Sequence, residues 1–291
     1  QNKSISRKNV QTLLNISDRS NFMLVTDYIE PTLLKKGHLS INIQAAVEAG
    51  LPPLEAITMS TARPASYLQL KKLGAISPGR KADFLIMNDL KSFPPESVYI
   101  EGKLMAKSGE FISKESGTKA RKISAEKLDK KLASKDFTLP ENLGKEDRVK
   151  ANTIKIANDY NTLTKLSREI IPLKNGQLDL DRADDIVIAG VFGRAGKSKN
   201  ITTVKGLGME RGAIASTFSH DSHNLLAVGR SIRDLVISSN RIIQGGGGIA
   251  VADSGKISAY LPLTIAGLIS DRRLNEVIDD FEAVEEAIRS L

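Results

Sequence analysis

The sequence predicts a mixed protein, α/β in its first part and α+β in its last. Three observations carry that expectation. Residues 5–61 hold helical apolar patterns around one short β-like run that ends in a carboxylate. Residues 73–112 are turn-rich and read as a small set of strands. Residues 149–291 combine a succession of strand signals with two helical stretches, an α+β pattern. A chain of 291 residues, 41% of them hydrophobic, suits a globular protein of two or three domains.

In the first part, Val10, Leu13 and Leu14 share one face of a predicted helix over 5–16. Phe22-Met23-Leu24-Val25 is a short apolar run with β character, and Thr26-Asp27 follows it. A buried strand with a carboxylate at its C-terminal end is the arrangement of a parallel α/β barrel, where catalytic groups occupy that rim. A loop is predicted from Tyr28 to Gly37, then helices over 40–49 and 53–61. Pro52-Pro53 opens the second of these, where a missing N–H costs little. Further on, Phe84-Leu85-Ile86-Met87, Ser97-Val98-Tyr99-Ile100 and Leu104-Met105-Ala106 read as strands, with Glu101-Gly102-Lys103 as a hairpin turn.

The formal charge is +8, and the polar stretch from Ser113 to Lys150 carries half of it, with eleven basic and seven acidic residues. It reads as a solvated linker rather than a nucleic-acid surface, which would need several aromatic platforms on which bases could stack. A helix is predicted near 123–134. The last domain offers strands near 151–157, 166–172, 186–192 and 201–207, then two strands flanking Ser219–Asn224. A helix over 230–243 follows, then Gly245–Gly248. The hairpin 249–252 with 257–260 turns at Ser254-Gly255. In the closing helix, 273–290, Leu274, Val277, Ile278, Phe281, Val284, Ala287 and Ile288 form a core-facing stripe.

The chain contains no cysteine, which excludes disulfides and thiolate metal sites. No stretch approaches the roughly 20 apolar residues of a membrane span. The polar start Gln1-Asn2-Lys3-Ser4 does not read as a secretory signal. A cytoplasmic location is the expectation. The chain opens at Gln1 without a methionine, which processing would explain, but the motifs below favour a longer polypeptide.

Two of only three histidines fall in Ser219-His220-Asp221-Ser222-His223-Asn224. Apolar runs on both sides, Ala213-Ile214-Ala215 and Leu225-Leu226-Ala227-Val228, place this hexapeptide on a tight connection between buried strands. Three readings stay open. Imidazoles and a carboxylate suit a metal such as iron, manganese or zinc. A Ser-His-Asp hydrolase is the weaker idea, because a triad is a spatial constellation and not a contiguous string. The third is a hydrogen-bonded loop that lends polar groups to a ligand pocket or a domain interface. The glycines at 245–248 follow a helix instead of opening one, so they read as a helix C-cap and not a phosphate loop.

Several strings together resemble a known family. Thr26-Asp27, Pro31, Gly37-His38-Leu39, Ala56–Thr61 and Gly74–Asp83 resemble the end of the amidohydrolase superfamily barrel and its β-sandwich. Lys205–Gly208, Arg211–Ala215, Ser219–Asn224 and Leu261–Asp271 are similar to the C-terminal domain of bacterial adenine deaminases. The resemblance implies four parts. Residues 1–72 would be the C-terminal part of a (β/α)8 barrel, 73–112 a small β-sandwich unit, 113–148 a charged linker, and 149–291 an adenine-deaminase-type α+β domain.

The activity implied is hydrolysis of adenine to hypoxanthine and ammonia by a metal-activated water, with Mn2+ or Fe2+ as cofactor. Asp27 matches the carboxylate that touches the metal and takes the water's proton. His38, His220, Asp221, Ser222, His223 and Asn224 are the residues expected to bind the substrate or shape its pocket. The other metal ligands would lie earlier in the barrel, so this chain alone is expected to be inactive. A purine base is the expected partner and a homo-oligomer the expected assembly, with no nucleic acid and no membrane. Tyr28, Ser40 and Ala195 depart from the family's pattern. They keep open an amidohydrolase acting on another aminopurine or related heterocycle. A non-catalytic binding module that retains the C-terminal domain also stays open.

Overall fold

Contacts divide the chain into two units, residues 1–119 and 120–291. The computed structural model describes residues 5–91, 95–112, 131–138, 146–157, 163–194, 196 and 198–291.

The first unit begins with five helices: α1 (Arg7–Leu14), α2 (Pro31–Leu34), α3 (Leu39–Glu48), α4 (Pro53–Ser60) and α5 (Ala62–Tyr67). The Ser6 hydroxyl accepts the Asn9 amide at 3.2 Å and so satisfies one of the unpaired N–H groups that open α1. Val10, Ile43, Ala46, Leu51, Ala56 and Met59 form the core beneath these helices. The predicted helices over 5–16, 40–49 and 53–61 are present, and α2 occupies part of the predicted loop, with Pro31 at its first position.

The expected strand at 22–25 is not formed. A strand needs a neighbouring backbone to complete its ladder. Here the Leu24 amide donates instead to the Met59 carbonyl at the end of α4, at 3.0 Å. The Val25 carbonyl accepts the Asn42 side-chain amide of α3, also at 3.0 Å. Among the described residues of 1–72 there is no strand.

The β unit comprises β1 (Phe84–Ile86), β2 (Ser97–Ile100), β3 (Lys103–Lys107) and β4 (Glu110–Phe111), in that order in one antiparallel sheet. The hairpin turn falls where expected, with Glu101 and Gly102 at φ +50° and +76°, both in the left-handed region that such turns require. Phe84 stacks on Tyr99 across β1 and β2, with ring centroids 4.6 Å apart. Among the described residues this is a single sheet, not the two packed faces of a sandwich.

The second unit is built on β5 (Arg148–Ile156), β6 (Thr164–Lys174), β7 (Gln177–Leu178), β8 (Ile186–Phe192), β9 (Lys199–Lys205), β10 (Ala213–Ser216), β11 (Leu225–Gly229), α6 (Ile232–Gly245), β12 (Gly248–Asp253), β13 (Lys256–Pro262) and α7 (Leu274–Arg289). The sheet runs β13-β12-β10-β11-β8-β9-β5-β6-β7. Its pairings are antiparallel except for β5 with β9. Central strand β8 is buried along almost all of its length, which explains its unbroken apolar sequence. Ile186, Ile188 and Phe192 join the core that holds Leu235 and Ile242 of α6. Val187 and Ala189 join the core that holds Val284 of α7. The result is three layers, helix on sheet on helix. The stripe on α7 packs within its own unit, with Ile278 and Val284 fully buried and Leu274 and Ile288 exposed at the ends.

Small residues set the spacing under α6. Ala213, Ala215, Ala227 and Ala250 line the sheet, and Ser238 and Ser239 of the helix are fully buried. The helix ends at Gly246 in the left-handed conformation, φ +80°, so the glycine run serves as a C-cap.

The stretch read as a linker is only partly described. Residues 113–130, which hold most of the predicted helix, lie outside the described residues. Within 131–138 the chain is not a solvated linker. Leu132 and Phe137 are buried in the α6 core, and Phe137 meets Phe192 edge-on at 5.2 Å. Leu132 exchanges both backbone hydrogen bonds with the Asn240 side chain, at 2.9 and 2.8 Å. Charge counting missed this because two apolar residues suffice to anchor a polar segment.

Candidate functional site

β10 and β11 pair antiparallel from Ala213 with Gly229 to Ser216 with Leu226, so residues 217–224 form the connection between two strands of the sheet interior. Thr217, at the end of β10, is buried. Its amide donates to the Gly248 carbonyl at 3.0 Å, and its hydroxyl accepts the Gly248 amide at 2.8 Å. That hydroxyl also donates to the Gly267 carbonyl at 2.6 Å. Gly267 belongs to a tight turn closed by Ile265 and Ile269, whose amides and carbonyls bond to each other at 2.9 and 3.1 Å. Ala266 and Gly267 both lie in the left-handed region.

Arg194 reaches the same place from the segment after β8. Its Nε donates to the His223 carbonyl and Nη1 to the Ala266 carbonyl. Its Nη2 donates to the Thr217 carbonyl at 3.3 Å. Burial lowers the pKa of this guanidinium from its usual value, yet an arginine stays charged in any protein. Neutral carbonyls, aligned on it, therefore stabilise a partly buried cation.

The loop itself carries an aromatic cluster. The His220 and His223 rings lie 5.8 Å apart, edge to face, and Phe218 lies 6.5 and 6.4 Å from them. His223 has φ +52°, and its amide donates to the Ser219 carbonyl at 2.5 Å. The Asn224 amide donates to the Ser222 hydroxyl at 3.5 Å. His220 Nδ1 contacts the Asp221 carboxylate, but both side chains are largely exposed, so the pair adds little to stability. His223 Nδ1 is buried and has no hydrogen-bond partner among the described residues. A buried polar atom left unpaired costs about 1–3 kcal/mol unless something outside the chain meets it. The structure thus brings His220, Asp221 and His223 together, with Ser222 and Asn224 beside them.

The other candidates lie in the first unit. The Thr26 hydroxyl is 3.4 Å from His38 Nε2, which draws His38 beside the segment carrying Asp27. Asp27 is exposed, as is His38. His38 precedes α3 without capping it through its side chain. Among the described residues no group of three or more His, Cys, Asp or Glu side chains is arranged to hold a metal ion. Asp27, a single carboxylate, does not compose a metal site with its described neighbours.

Arg194 and Thr217 were not legible as site residues. Arg194 immediately precedes the departure noted at position 195, which lies outside the described residues. The available signal was an arginine separated by one glycine from a wholly apolar strand, with no acid nearby in sequence. Among the described residues no helix is long and apolar enough to cross a membrane.

Comparison with known proteins connects these features. Residues 161–291 match the family described as adenine deaminase C-terminal domain, and residues 1–105 match the amidohydrolase family. A protein named adenine deaminase 2 from Carboxydothermus hydrogenoformans is 33% identical over 292 residues, covering 98% of this chain and 50% of that protein. An adenine deaminase from Clostridium botulinum is 34% identical over 277 residues, covering 92% and 45%. One from Clostridium perfringens is 30% identical over 306 residues, covering 100% and 52%. The chain spans about half the length of the curated relatives it matches.

Proposed function

The chain belongs to the adenine deaminase family, and on that premise we propose that it forms the C-terminal half of an enzyme that hydrolyses adenine to hypoxanthine and ammonia. The observation that carries this reading is the succession of two matches on one chain, amidohydrolase first and adenine deaminase C-terminal domain second.

Deamination adds water at the ring carbon bearing the amino group. It needs one group to take the water's proton and others to deliver protons to the ring nitrogen and the leaving amine. Asp27 is assigned the first task. The rings of Phe218, His220 and His223 suit the face of a flat heterocycle, because aromatic rings stack favourably on one another. The unpartnered His223 Nδ1 suits a purine edge, which carries both donors and acceptors. Ser222 and Asn224 offer a hydroxyl and an amide beside it.

Family resemblance implies a divalent cation, Mn2+ or Fe2+, which when bound lowers the pKa of water. The described residues of this chain do not make such a site on their own, so most of its ligands are assigned to the portion that the longer relatives possess. A cytoplasmic homo-oligomer is part of the same proposal. A second reading, a binding module that keeps the C-terminal domain without catalysis, draws support from the solvent exposure of Asp27.

The test joins this chain to the polypeptide encoded directly upstream of Gln1 in the genome and follows hypoxanthine and ammonia. The joined protein is expected to turn over adenine, and the 291 residues alone to do nothing after metal loading. In the joined enzyme, His220→Ala should reduce turnover or adenine affinity with bound metal largely kept. Turnover by the chain alone would overturn the division of labour. A start codon immediately before Gln1 and an inert protein would favour the binding module.

A further inference from the structure

We propose that Arg194 is the positioning residue of the 219–224 loop, setting the direction in which the His220 and His223 rings face. The loop has few restraints of its own. His223 bonds back to Ser219, and Asn224 to Ser222, both inside the loop. His220, Asp221 and Ser222 are exposed. The hold from outside falls on the His223 carbonyl, taken by Arg194 Nε. A non-glycine residue in the left-handed region costs about 1 kcal/mol or more and persists only where its surroundings hold it. His223 is such a residue, and Arg194 supplies the hold.

The guanidinium does more than clamp one carbonyl. It joins Thr217 and His223, at the two ends of the loop, to Ala266 in the Ile265–Ile269 turn. Three acceptors in three directions match a planar fork of five N–H donors, which the single nitrogen of lysine cannot reproduce. The turn is shaped to receive it. A Cβ on Gly267 would stand 3.3 Å from Arg194 Nη2. None of the acceptors is a carboxylate among the described residues. The charge is thus directed at the loop rather than neutralised by a partner of its own.

The value of this placement to catalysis rests on the proposed purine site. The placement itself does not, and it can be tested on the 291-residue chain with labelled histidine and arginine. In the unaltered chain, the Arg194 Nη protons should show hindered rotation; free rotation would overturn the proposal, whatever any variant does. Arg194→Ala should speed amide exchange across 219–224 by about tenfold or more, the loss of a charged hydrogen bond. It should also move the ring-carbon signals of both imidazoles, with the Val187 and Val251 methyl signals unmoved. Guanidinium ion added to Arg194→Ala should restore the loop, and Arg194→Lys should not. Unchanged exchange and unchanged histidine ring signals in both variants would overturn the assignment. Adenine added to the unaltered chain tests the purine site separately. A loop that ignores adenine removes the purine reading and leaves the role of Arg194 standing.

Discussion

The Thr217 hydroxyl lies 2.6 Å from the Gly267 carbonyl, and through it the histidine loop is tied to a turn fifty residues further along the chain. The same hydroxyl accepts the Gly248 amide. Thr217→Val keeps the shape and removes both bonds, leaving buried groups without partners. The expected cost is about 1–3 kcal/mol. Thermal unfolding should record it as a drop of about 2–4 °C per kcal/mol for a unit of this size.

Glycine is required in this region for two different reasons, which two variants should separate. A Cβ on Gly247 would stand 2.3 Å from the Gly267 Cα, a clash between backbones at φ +132°. A Cβ on Gly267 meets its nearest atom, in the Arg194 side chain, at 3.3 Å, so only the φ of +68° and a small adjustment oppose it. Gly267→Ala should therefore cost about 1 kcal/mol, and Gly247→Ala clearly more. Urea midpoints of the two variants, measured side by side, check the order.

Phe137→Ala tests whether residues 131–138 belong to the second unit. The ring is fully buried against Phe192, and Gly190 leaves the room it occupies, since a Cβ there would stand 3.1 Å from it. The expected loss is about 3–5 kcal/mol. A variant as stable as the parent would return the segment to the status of a connector.

Acid should weaken the first unit through Glu55. Its carboxylate takes two bonds from Arg19, at 2.9 and 3.1 Å, and one from Arg63 at 3.5 Å. The hydrogen bonds from Arg19 lower its pKa, burial opposes them, and Arg63 adds to the lowering. A carboxylate with a depressed folded pKa contributes stability above its unfolded value, and that contribution disappears as pH falls through the folded one. Glu55→Gln should be less stable than the parent at neutral pH and should lose less on acidification. Unfolding curves at pH 7 and pH 3 give the comparison.

The sheet of the second unit was readable because its strands advertise themselves. Ile186–Phe192 is apolar throughout and lies between two helix layers. Ala213–Ser216 and Leu225–Gly229 were visible as apolar flanks of a polar loop. The glycine run was legible from its place after a helix. What failed did so for physical reasons. Phe22–Val25 has strand composition, but composition does not supply a neighbour, and its hydrogen bonds go to Met59 and Asn42. Phe137 was hidden in a charged stretch. Arg194 and Thr217 act through backbone carbonyls, and a carbonyl leaves no mark on the sequence of the residue that owns it.

The parallel pairing of β5 with β9 spans only Thr153–Lys155 against Thr203–Lys205, whereas β5 and β6 are paired along their full facing length. The Thr153 and Thr203 hydroxyls, 2.7 Å apart and buried, bolt that short seam. By backbone hydrogen bonds the β5–β6 hairpin is fastened to itself more firmly than to β9, with buried Ile171 as its side-chain anchor in the α6 core. Under mechanical load or brief thermal opening it should swing away as one flap, while the strands from β8 to β13 keep their grip on both helices.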